Sequence, residues 1–442
     1  MSEVEDRLKL LLDDVAAGVA TDPVAPAELV ERVRRRRRRR AGVVSGAVVV
    51  LLLGLTAGLF ASTSDRRPNH EVIAGPVGVE MVLGDPGPAE LLVDQLPPSP
   101  LSPREDTTAV WTGREMIVWG GTSNGTVTAD GAAYDPEAGT WRTIAGSPLA
   151  SRTRHMAVWT GDEMVVWGGS TRTSGVGDLL DGAAYDPATD TWRTIADAPA
   201  GSEQISAATA EVAGRVVFAG GGSPSGDGAA PLLVYDPVTD AWTSHRPPGS
   251  VESLVAHRGG AVLGHVDLAD RTELSLTTFD PATGSMRALP PFPRRGEDDM
   301  VDVVGIAPVD GGLVGAVTWS AGGHPRTVVA ALPDRADRWV VIDELSADDF
   351  APGSRVDLVY APGPTYWTGE WLFGREWLPT AFAPGNGRVA ELDRSVEVPC
   401  GAAGVTVWTG DEVLQWGGQN CRREGPSGQV DSGVSIRIRP TG

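Results

Sequence analysis

The fold of this chain is decided by two stretches that are nearly identical: DGAAYDPEAGTWRTIA at 130–145 and DGAAYDPATDTWRTIA at 181–196. Upstream of each lies a second shared phrase, AVWTGREMIVW at 109–119 and AVWTGDEMVVW at 157–167, and a Gly-Gly doublet follows each copy. Self-similarity at a spacing of about 50 residues indicates a repeat architecture built from stacked supersecondary units. The order of turns and strands inside one unit therefore predicts the fold.

One unit divides into four short strands. The Gly of Thr-Gly-Asp-Glu supplies a positive φ and predicts a tight turn between the first two strands. The second strand, 164–167, ends at the doublet Gly168-Gly169, and the third covers 182–185. Asp186-Pro187 then begins the turn into a strand that contains Trp192. Four strands in a unit of this length predict one blade of a β-propeller.

Seven such units can be counted, and a count of six remains open because the pattern fades between 250 and 398. Their first strands are expected just before Gly113, Gly161, Gly214, Gly259, Gly311, Gly369 and Gly410. The last unit lacks its own fourth strand. Residues 93–104, VDQLPPSPLSPR, overlay WRTIAGSPLASR at 141–152, which puts Val93 in the Trp position and Leu96 at Ile144. We therefore expect an N-terminal strand to complete the C-terminal blade, so that no sheet edge stays open.

The doublet, a Tyr about 14–16 residues later and a Trp seven residues beyond it resemble the Kelch repeat. The resemblance implies an all-β, Kelch-like β-propeller. It also implies that ligands are bound by residues just upstream of the first strands. Those positions and their basic neighbours are candidate ligand-binding residues, and the arginines among them could hold a carboxylate: Arg104, Asp106, Arg152, Arg154, His155 and Ser206.

Sequence motifs for catalysis are not found. Some Kelch-like propellers are copper-radical oxidases of the galactose oxidase kind, but Tyr134, Tyr185 and Tyr235 occupy the structural Tyr position of the repeat. The six histidines are scattered, without metal-ligand spacing. We therefore expect no catalytic residue, no cofactor and no metal.

The two cysteines, Cys400 and Cys421, flank the hairpin of the last unit. If the hairpin turns between Gly410 and Asp411, paired residues have numbers that sum to 821, as those of the two cysteines do. In an oxidising compartment this register predicts a disulfide. Two buried thiols are the alternative.

A membrane span is predicted at 41–61, AGVVSGAVVVLLLGLTAGLFA, where 21 residues carry no charge. A helix of that length spans roughly 31 Å, the thickness of a hydrocarbon core. The run Arg34–Arg40 precedes it, so the positive-inside rule puts the N-terminus in the cytoplasm. A cleaved signal peptide is the alternative. The expected organisation is a basic head (1–40), which resembles the heads of actinobacterial membrane proteins, a transmembrane helix (41–61), a linker (62–88) and the propeller (89–442).

The charge is distributed unevenly. Residues 1–40 hold 10 of the 37 basic and 8 of the 58 acidic side chains, which leaves a net charge of −23 beyond position 40. Such a domain repels phosphate backbones, so we expect no nucleic-acid partner. The sequence predicts a monomeric, extracytoplasmic module that binds a protein, peptide or glycan. The alternative is a sugar-acting propeller enzyme of the mutarotase or epimerase kind.

Overall fold

The structure, a computed structural model, consists of β-strands. It describes residues 71–74, 80–83, 86–173, 179–202, 208–220, 229–266, 273–293, 300–321, 324–346, 366–367, 372–376, 378–383, 388–392, 404–419 and 428–441. No helix long and apolar enough to cross a membrane occurs in these ranges. The predicted span 41–61, the basic head, Ser206 and both cysteines lie outside them.

Before the propeller, two strands form a small antiparallel sheet within the predicted linker. They are β1 (Glu71–Ala74) and β2 (Glu80–Leu83). The next strand is β3 (Ala89–Gln95).

The first three predicted units are four-stranded antiparallel blades, each paired in chain order. Blade 1 has β4 (Thr108–Trp111), β5 (Met116–Trp119), β8 (Gly131–Asp135) and β9 (Thr140–Thr143), and it carries a small hairpin of β6 (Thr122–Ser123) and β7 (Thr126–Val127). Blade 2 has β10 (Met156–Trp159), β11 (Met164–Trp167), β12 (Gly182–Asp186) and β13 (Thr191–Ile195). Blade 3 has β14 (Ala208–Val212), β15 (Arg215–Ala219), β16 (Leu232–Asp236) and β17 (Ala241–His245).

The units in which the sequence pattern fades are blades as well. Blade 4 has β18 (Ser250–His257), β19 (Gly260–Val266), β20 (Leu274–Phe279) and β21 (Met286–Ala288). Blade 5 has β22 (Met300–Val309), β23 (Gly312–Ala321), β24 (His324–Pro333) and β25 (Val340–Ser346).

The sixth sheet has eight strands and contains the last two predicted units. One half is β26 (Tyr366–Trp367), β27 (Leu372–Glu376), β28 (Leu378–Ala383) and β29 (Arg388–Leu392). The other is β30 (Val405–Trp408), β31 (Val413–Trp416), β32 (Gly433–Pro440) and the N-terminal β3. The halves join where β29 pairs in parallel with β3, Glu391 opposite Glu90 and Leu392 opposite Leu91. Counted by sheets in the described residues, the propeller has six blades. The prediction of seven separate blades is therefore wrong, and the alternative count of six is confirmed.

The N-terminal strand completes the C-terminal half-sheet in the register that the sequence predicts. Val93 lies opposite Ile436, as Trp141 lies opposite Tyr134 in blade 1. The Leu96 amide donates to the Gly433 carbonyl at 2.8 Å, in the position of the Ile144–Gly131 bond. The first strands of neighbouring units contact one another, β30 with β4, β4 with β10 and onwards to β26. The seam of the propeller is therefore closed by backbone hydrogen bonds.

Burial within a blade follows the strand order. In blade 2, β10 alternates buried and half-buried residues, all four residues of β11 are buried, and most of β13 is half-buried or exposed. The strand Met164–Trp167 is apolar without interruption because neighbouring blades pack on both of its faces. The hydrophobic clusters accordingly lie between blades; one joins Trp167 of blade 2 to Phe218 and Tyr235 of blade 3.

The repeated turn residues have direct structural roles. Thr112 accepts hydrogen bonds from the amides of Arg114 and Glu115, while Gly113 has a φ of 90°. After the third strand, Asp135 accepts from the amides of Glu137 and Ala138. These side-chain-to-backbone bonds satisfy the turn amides and hold the hairpin ends.

Candidate functional site

The described candidate residues, which are all of the predicted set except Ser206, lie on one side of the propeller, which we call the doublet face. In the blades where it is best described, this face consists of the doublets Gly120-Gly121 and Gly168-Gly169 and of the segments 104–107 and 152–155, which precede the first strands. The hairpin turns lie at the opposite ends of the strands, on the turn side.

Backbone hydrogen bonds fix these segments between neighbouring units. The amide of Gly121 donates to the carbonyl of Arg152 at 3.0 Å, and the amide of Gly418 donates to the carbonyl of Arg104 at 2.9 Å. A side chain is excluded at Gly121, because its Cβ would lie 2.7 Å from the Glu105 carbonyl oxygen and the residue has a φ of 97°. Side chains that project from these segments are therefore held on a rigid backbone.

Arg104 and Arg152 are buried at equivalent positions, with exposed fractions of 1% and 0%. The Nη1 of Arg152 donates to the carbonyls of Gly168 (3.0 Å) and Asp181 (3.1 Å), and its Nη2 donates to Oδ2 of Asp181 at 2.8 Å. Arg104 makes the corresponding bonds to the Gly120 carbonyl at 3.4 Å and to both carboxylate oxygens of Asp130. Each arginine thus joins a doublet to the residue just before the third strand.

The predicted ligand contacts of Arg104 and Arg152 stay predictions, but both guanidinium groups are occupied by internal hydrogen bonds. The sequence held a signal for this internal role. Arg104 and Asp130 of blade 1 recur together as Arg152 and Asp181 of blade 2. A pair that recurs at equivalent repeat positions indicates packing within the unit.

Burial opposes ionisation of Asp130, but the hydrogen bond and the positive charge of Arg104 outweigh it. The pKa of Asp130 is therefore lowered.

Asp106 and Arg154 are the members of the predicted set that project outwards. They are equivalent in the repeat, with side chains 31% and 45% exposed, and Arg154 Nε lies 3.4 Å from Asp106 Oδ2. Both have left-handed backbones, φ 53° and 54°, which residues with a Cβ rarely adopt. The Arg154 amide also donates to the Asp106 carbonyl at 3.3 Å. The two side chains place an acceptor and a donor side by side on the doublet face.

His155 is buried, 4% exposed, beneath these side chains. Its Nε2 lies 2.7 Å from the Thr108 hydroxyl, and its ring packs edge-on against Trp119 at 5.0 Å. Burial and the nearby Arg152 charge lower the pKa of His155 to about 3, although a hydrogen bond with the Trp119 backbone opposes the shift. The imidazole is therefore neutral near pH 7 and does not serve as a cationic donor to a ligand.

His155 should make the propeller less stable in mild acid. The unfolded chain binds a proton at the ordinary histidine pKa, whereas the folded chain does not until about pH 3. Stability is therefore lost as the pH falls below about 6.5, and this residue contributes a loss of about 2 kcal/mol by pH 5. Urea unfolding of the native protein and His155→Gln at both pH values measures the difference. Equal losses in the two proteins would contradict the assignment.

Sequence reasoning missed several polar side chains where the two ends of the chain meet. Gln419 Nε2 donates to Glu105 Oε2 at 2.5 Å. Gln429 accepts from the Asn124 amide at 2.7 Å and donates to the Thr122 carbonyl at 3.1 Å. These partners are more than 300 residues apart, so no local pattern indicates them. They extend the polar surface of Asp106 and Arg154 across the seam.

In the part of the chain that is described, no group of three His, Cys, Asp or Glu residues is placed to hold a metal ion.

This arrangement defines a β-propeller. Residues 93–266 match the sequence model of the KLHDC2/KLHL20/DRC7 Kelch-repeats domain. No curated protein matches the chain. Among solved structures, the one titled "Structure of YjhT" is similar at 14% sequence identity and a TM-score of 0.43, over 78% of this chain and 99% of that one.

Proposed function

We propose that this chain is a membrane-anchored propeller that binds a protein outside the cytoplasm through its doublet face. The Kelch-repeat match supports a protein-binding module. The observation that carries the choice of face is the pair Asp106 and Arg154. Arg154 is exposed and Asp106 is half-buried, and both are held in left-handed backbone on a face whose segments are fixed by backbone hydrogen bonds.

The chemistry of this surface suits a polar protein contact. The carboxylate of Asp106 and the guanidinium of Arg154 offer an acceptor and a donor side by side, and Glu105, Gln419 and Gln429 continue the polar edge. Charged partners across an interface fix register and exclude wrong partners. Because the backbone is already ordered, little conformational entropy is lost on binding.

The membrane anchor and the outer location rest on sequence. The uncharged segment 41–61 is long enough to span a bilayer, and the basic run Arg34–Arg40 on its N-terminal side favours a cytoplasmic N-terminus. The resemblance of residues 1–40 to actinobacterial membrane-protein heads supports the same placement. A sugar-acting enzyme is not favoured, since the Kelch-repeat match supports a protein-binding module.

Reversal of the charge of Arg154 should abolish partner capture. A membrane-impermeant cross-linker is applied to intact cells that carry the full-length chain, and captured proteins are identified by mass spectrometry. Arg154→Asp should lower the yield of the main partner at least about tenfold, because two carboxylates then face each other beside the contact. Arg114→Asp, exposed on the turn side of blade 1, should change the yield less than about twofold.

Two results would contradict the proposal. Equal capture by native protein and Arg154→Asp would remove the doublet face as the contact. Capture that occurs only with a permeant cross-linker would place the propeller inside the cell.

A further inference from the structure

A groove opens on the turn side between blades 4 and 5, away from the doublet face. Its volume is about 700 Å³, within the range of sites that hold small ligands or a few residues of peptide. It lies between the β18–β19 turn of blade 4 and the β24–β25 turn of blade 5. We call it the blade 4–5 groove.

The equivalent place between blades 1 and 2 is filled by a network of polar side chains. Arg142 of blade 1 donates to both carboxylate oxygens of Glu115, at 2.5 and 3.1 Å, and to the Tyr185 hydroxyl of blade 2 at 3.2 Å. The Tyr185 hydroxyl donates to Asp190 at 2.6 Å, and Asp190 in turn accepts from the Ala145 amide at 2.9 Å.

The same network recurs between blades 2 and 3. Arg193 donates to Glu163 at 2.6 and 2.8 Å, and Tyr235 donates to Asp240 at 2.8 Å. Asp240 accepts from the Ala196 amide at 2.9 Å. Both junctions thus neutralise their arginine within the protein.

Strand register shows which parts of the network are lost between blades 4 and 5. Met286 pairs with Phe279 as Trp141 pairs with Tyr134, so Arg287 occupies the arginine position. By the same register Gly260 stands at the position of Glu115, and Leu332 stands at the position of Tyr185. Pro290 occupies the position of Ala145, because its carbonyl accepts from Trp339 Nε1 as the Ala145 carbonyl accepts from Trp192 Nε1. Proline has no amide hydrogen, so the donor that Ala145 offers to Asp190 is lost here. The arginine is kept while its glutamate and tyrosine partners are lost. Asp337 keeps the position of Asp190, two residues before the tryptophan, but it forms no hydrogen bond or ion pair with Arg287 and does not line the groove.

The groove carries a net positive charge, because three arginines of its lining face two carboxylates, Asp280 and Asp334. Arg287 is exposed, and no described residue forms a hydrogen bond or ion pair with its guanidinium group. Arg335 is exposed on the rim with no side-chain partner in the described ranges. Arg258 is paired with Asp334, which also contacts His257 at 3.4 Å. Arginine without an internal partner is suited to a carboxylate.

Apolar side chains line the rest of the groove. Met286 and Leu289 are half-buried, and Leu313 and Leu332 are buried behind them. Long polyanions such as nucleic acids and acidic membranes are disfavoured by the net charge of −21. A ligand with one or two carboxylates beside an apolar group matches both parts of the lining.

We propose that the blade 4–5 groove binds a short acidic peptide segment of a partner protein, with a carboxylate on Arg287 and a neighbouring apolar side chain against Met286 and Leu289. This site goes beyond the proposed contact at Asp106 and Arg154, since it lies on the other side of the propeller and uses different residues.

The test uses fluorescein-labelled tetrapeptides that carry two acidic residues and one apolar residue, with blocked termini, and a neutral set in which amides replace the carboxylates. Binding to the full-length chain is followed by fluorescence polarisation at low ionic strength. The acidic set should bind and the neutral set should bind at least about tenfold more weakly, because the bidentate arginine contact is lost.

Arg287→Gln should weaken acidic-peptide binding at least about tenfold, whereas Arg338→Gln, an exposed arginine of blade 5 outside the groove, should change it less than about twofold. Gly260→Glu should also block binding, because it restores the carboxylate that pairs with arginine at the other junctions. A thermal melt checks that each variant is folded.

Equal binding of acidic and neutral peptides, or equal effects of Arg287→Gln and Arg338→Gln, would overturn the proposal. Unchanged binding in Arg154→Asp is expected, so failure here and failure of the doublet-face contact are separate results.

Discussion

Replacement of Trp167 by alanine is expected to lower the free energy of unfolding by about 4 kcal/mol. Its side chain is fully buried between blades 2 and 3, where it packs against Phe218 at 5.1 Å and Trp242 at 5.4 Å. Its Nε1 also donates to the Leu180 carbonyl at 2.9 Å. Alanine would leave a cavity between two blades and an unpaired carbonyl.

Trp167→Phe is the matched control. It keeps an aromatic ring against Phe218 but removes the hydrogen bond and part of the volume, so we expect a loss of about 2 kcal/mol. Urea unfolding followed by tryptophan fluorescence measures both variants. A loss below about 1.5 kcal/mol for Trp167→Ala would show that the blade interface can collapse around the missing ring.

Replacement of Arg152 by methionine is expected to cost about 3 kcal/mol, although methionine approximately fills the same volume. The change leaves the carbonyl of Gly168 and the carboxylate of Asp181 without their arginine donor, while the Asp181 carbonyl keeps only the Gly168 amide. Because the Asp181 side chain is 44% exposed, water recovers part of the loss. Arg154→Met, two residues away and 45% exposed, should cost less than about 1 kcal/mol.

A double-mutant cycle separates the ion pair of Arg152 with Asp181 from the hydrogen bonds of Arg152 to backbone carbonyls. Asp181→Ala alone should cost about 1 kcal/mol, and it should cost nearly nothing in the Arg152→Met background. Additive losses in the double variant would mean that the carboxylate does not stabilise the buried guanidinium, and that the carbonyl bonds carry the effect.

The propeller could be predicted because its determinants are local and repeated. Thr-Gly and Asp-Pro turns fix the hairpins, and their recurrence reveals blades 1 to 3. The closing strand was also predictable, since Val93 and Leu96 occupy repeat positions whose partners were known from blade 1. Repeated tryptophans pack between blades, as Trp167 does against Trp242.

The site was less predictable, for physical reasons. Exposure of an arginine depends on what folds over it. The recurrence of Arg104 with Asp130 as Arg152 with Asp181 indicates packing within the unit, but it does not show that the guanidinium group is fully buried. The join between the last two units depends on parallel pairing of Glu391 with Glu90, which no local pattern indicates. The blade 4–5 groove lacks the polar network because Gly260 and Leu332 replace the glutamate and the tyrosine of the other junctions. These replacements can be recognised only once the strand register is known.

The pairing of β3 with β32 also affects the order of events during synthesis. Residues 343 positions apart, Asp94 and Arg437, must meet before that pairing is complete. At roughly 5–20 residues per second, β3 would wait roughly 20–70 s after its own synthesis for its partner. Contacts of such high sequence separation form slowly. Until then β3 has no antiparallel partner, and the nascent chain presents its unpaired edge to chaperones or to other chains.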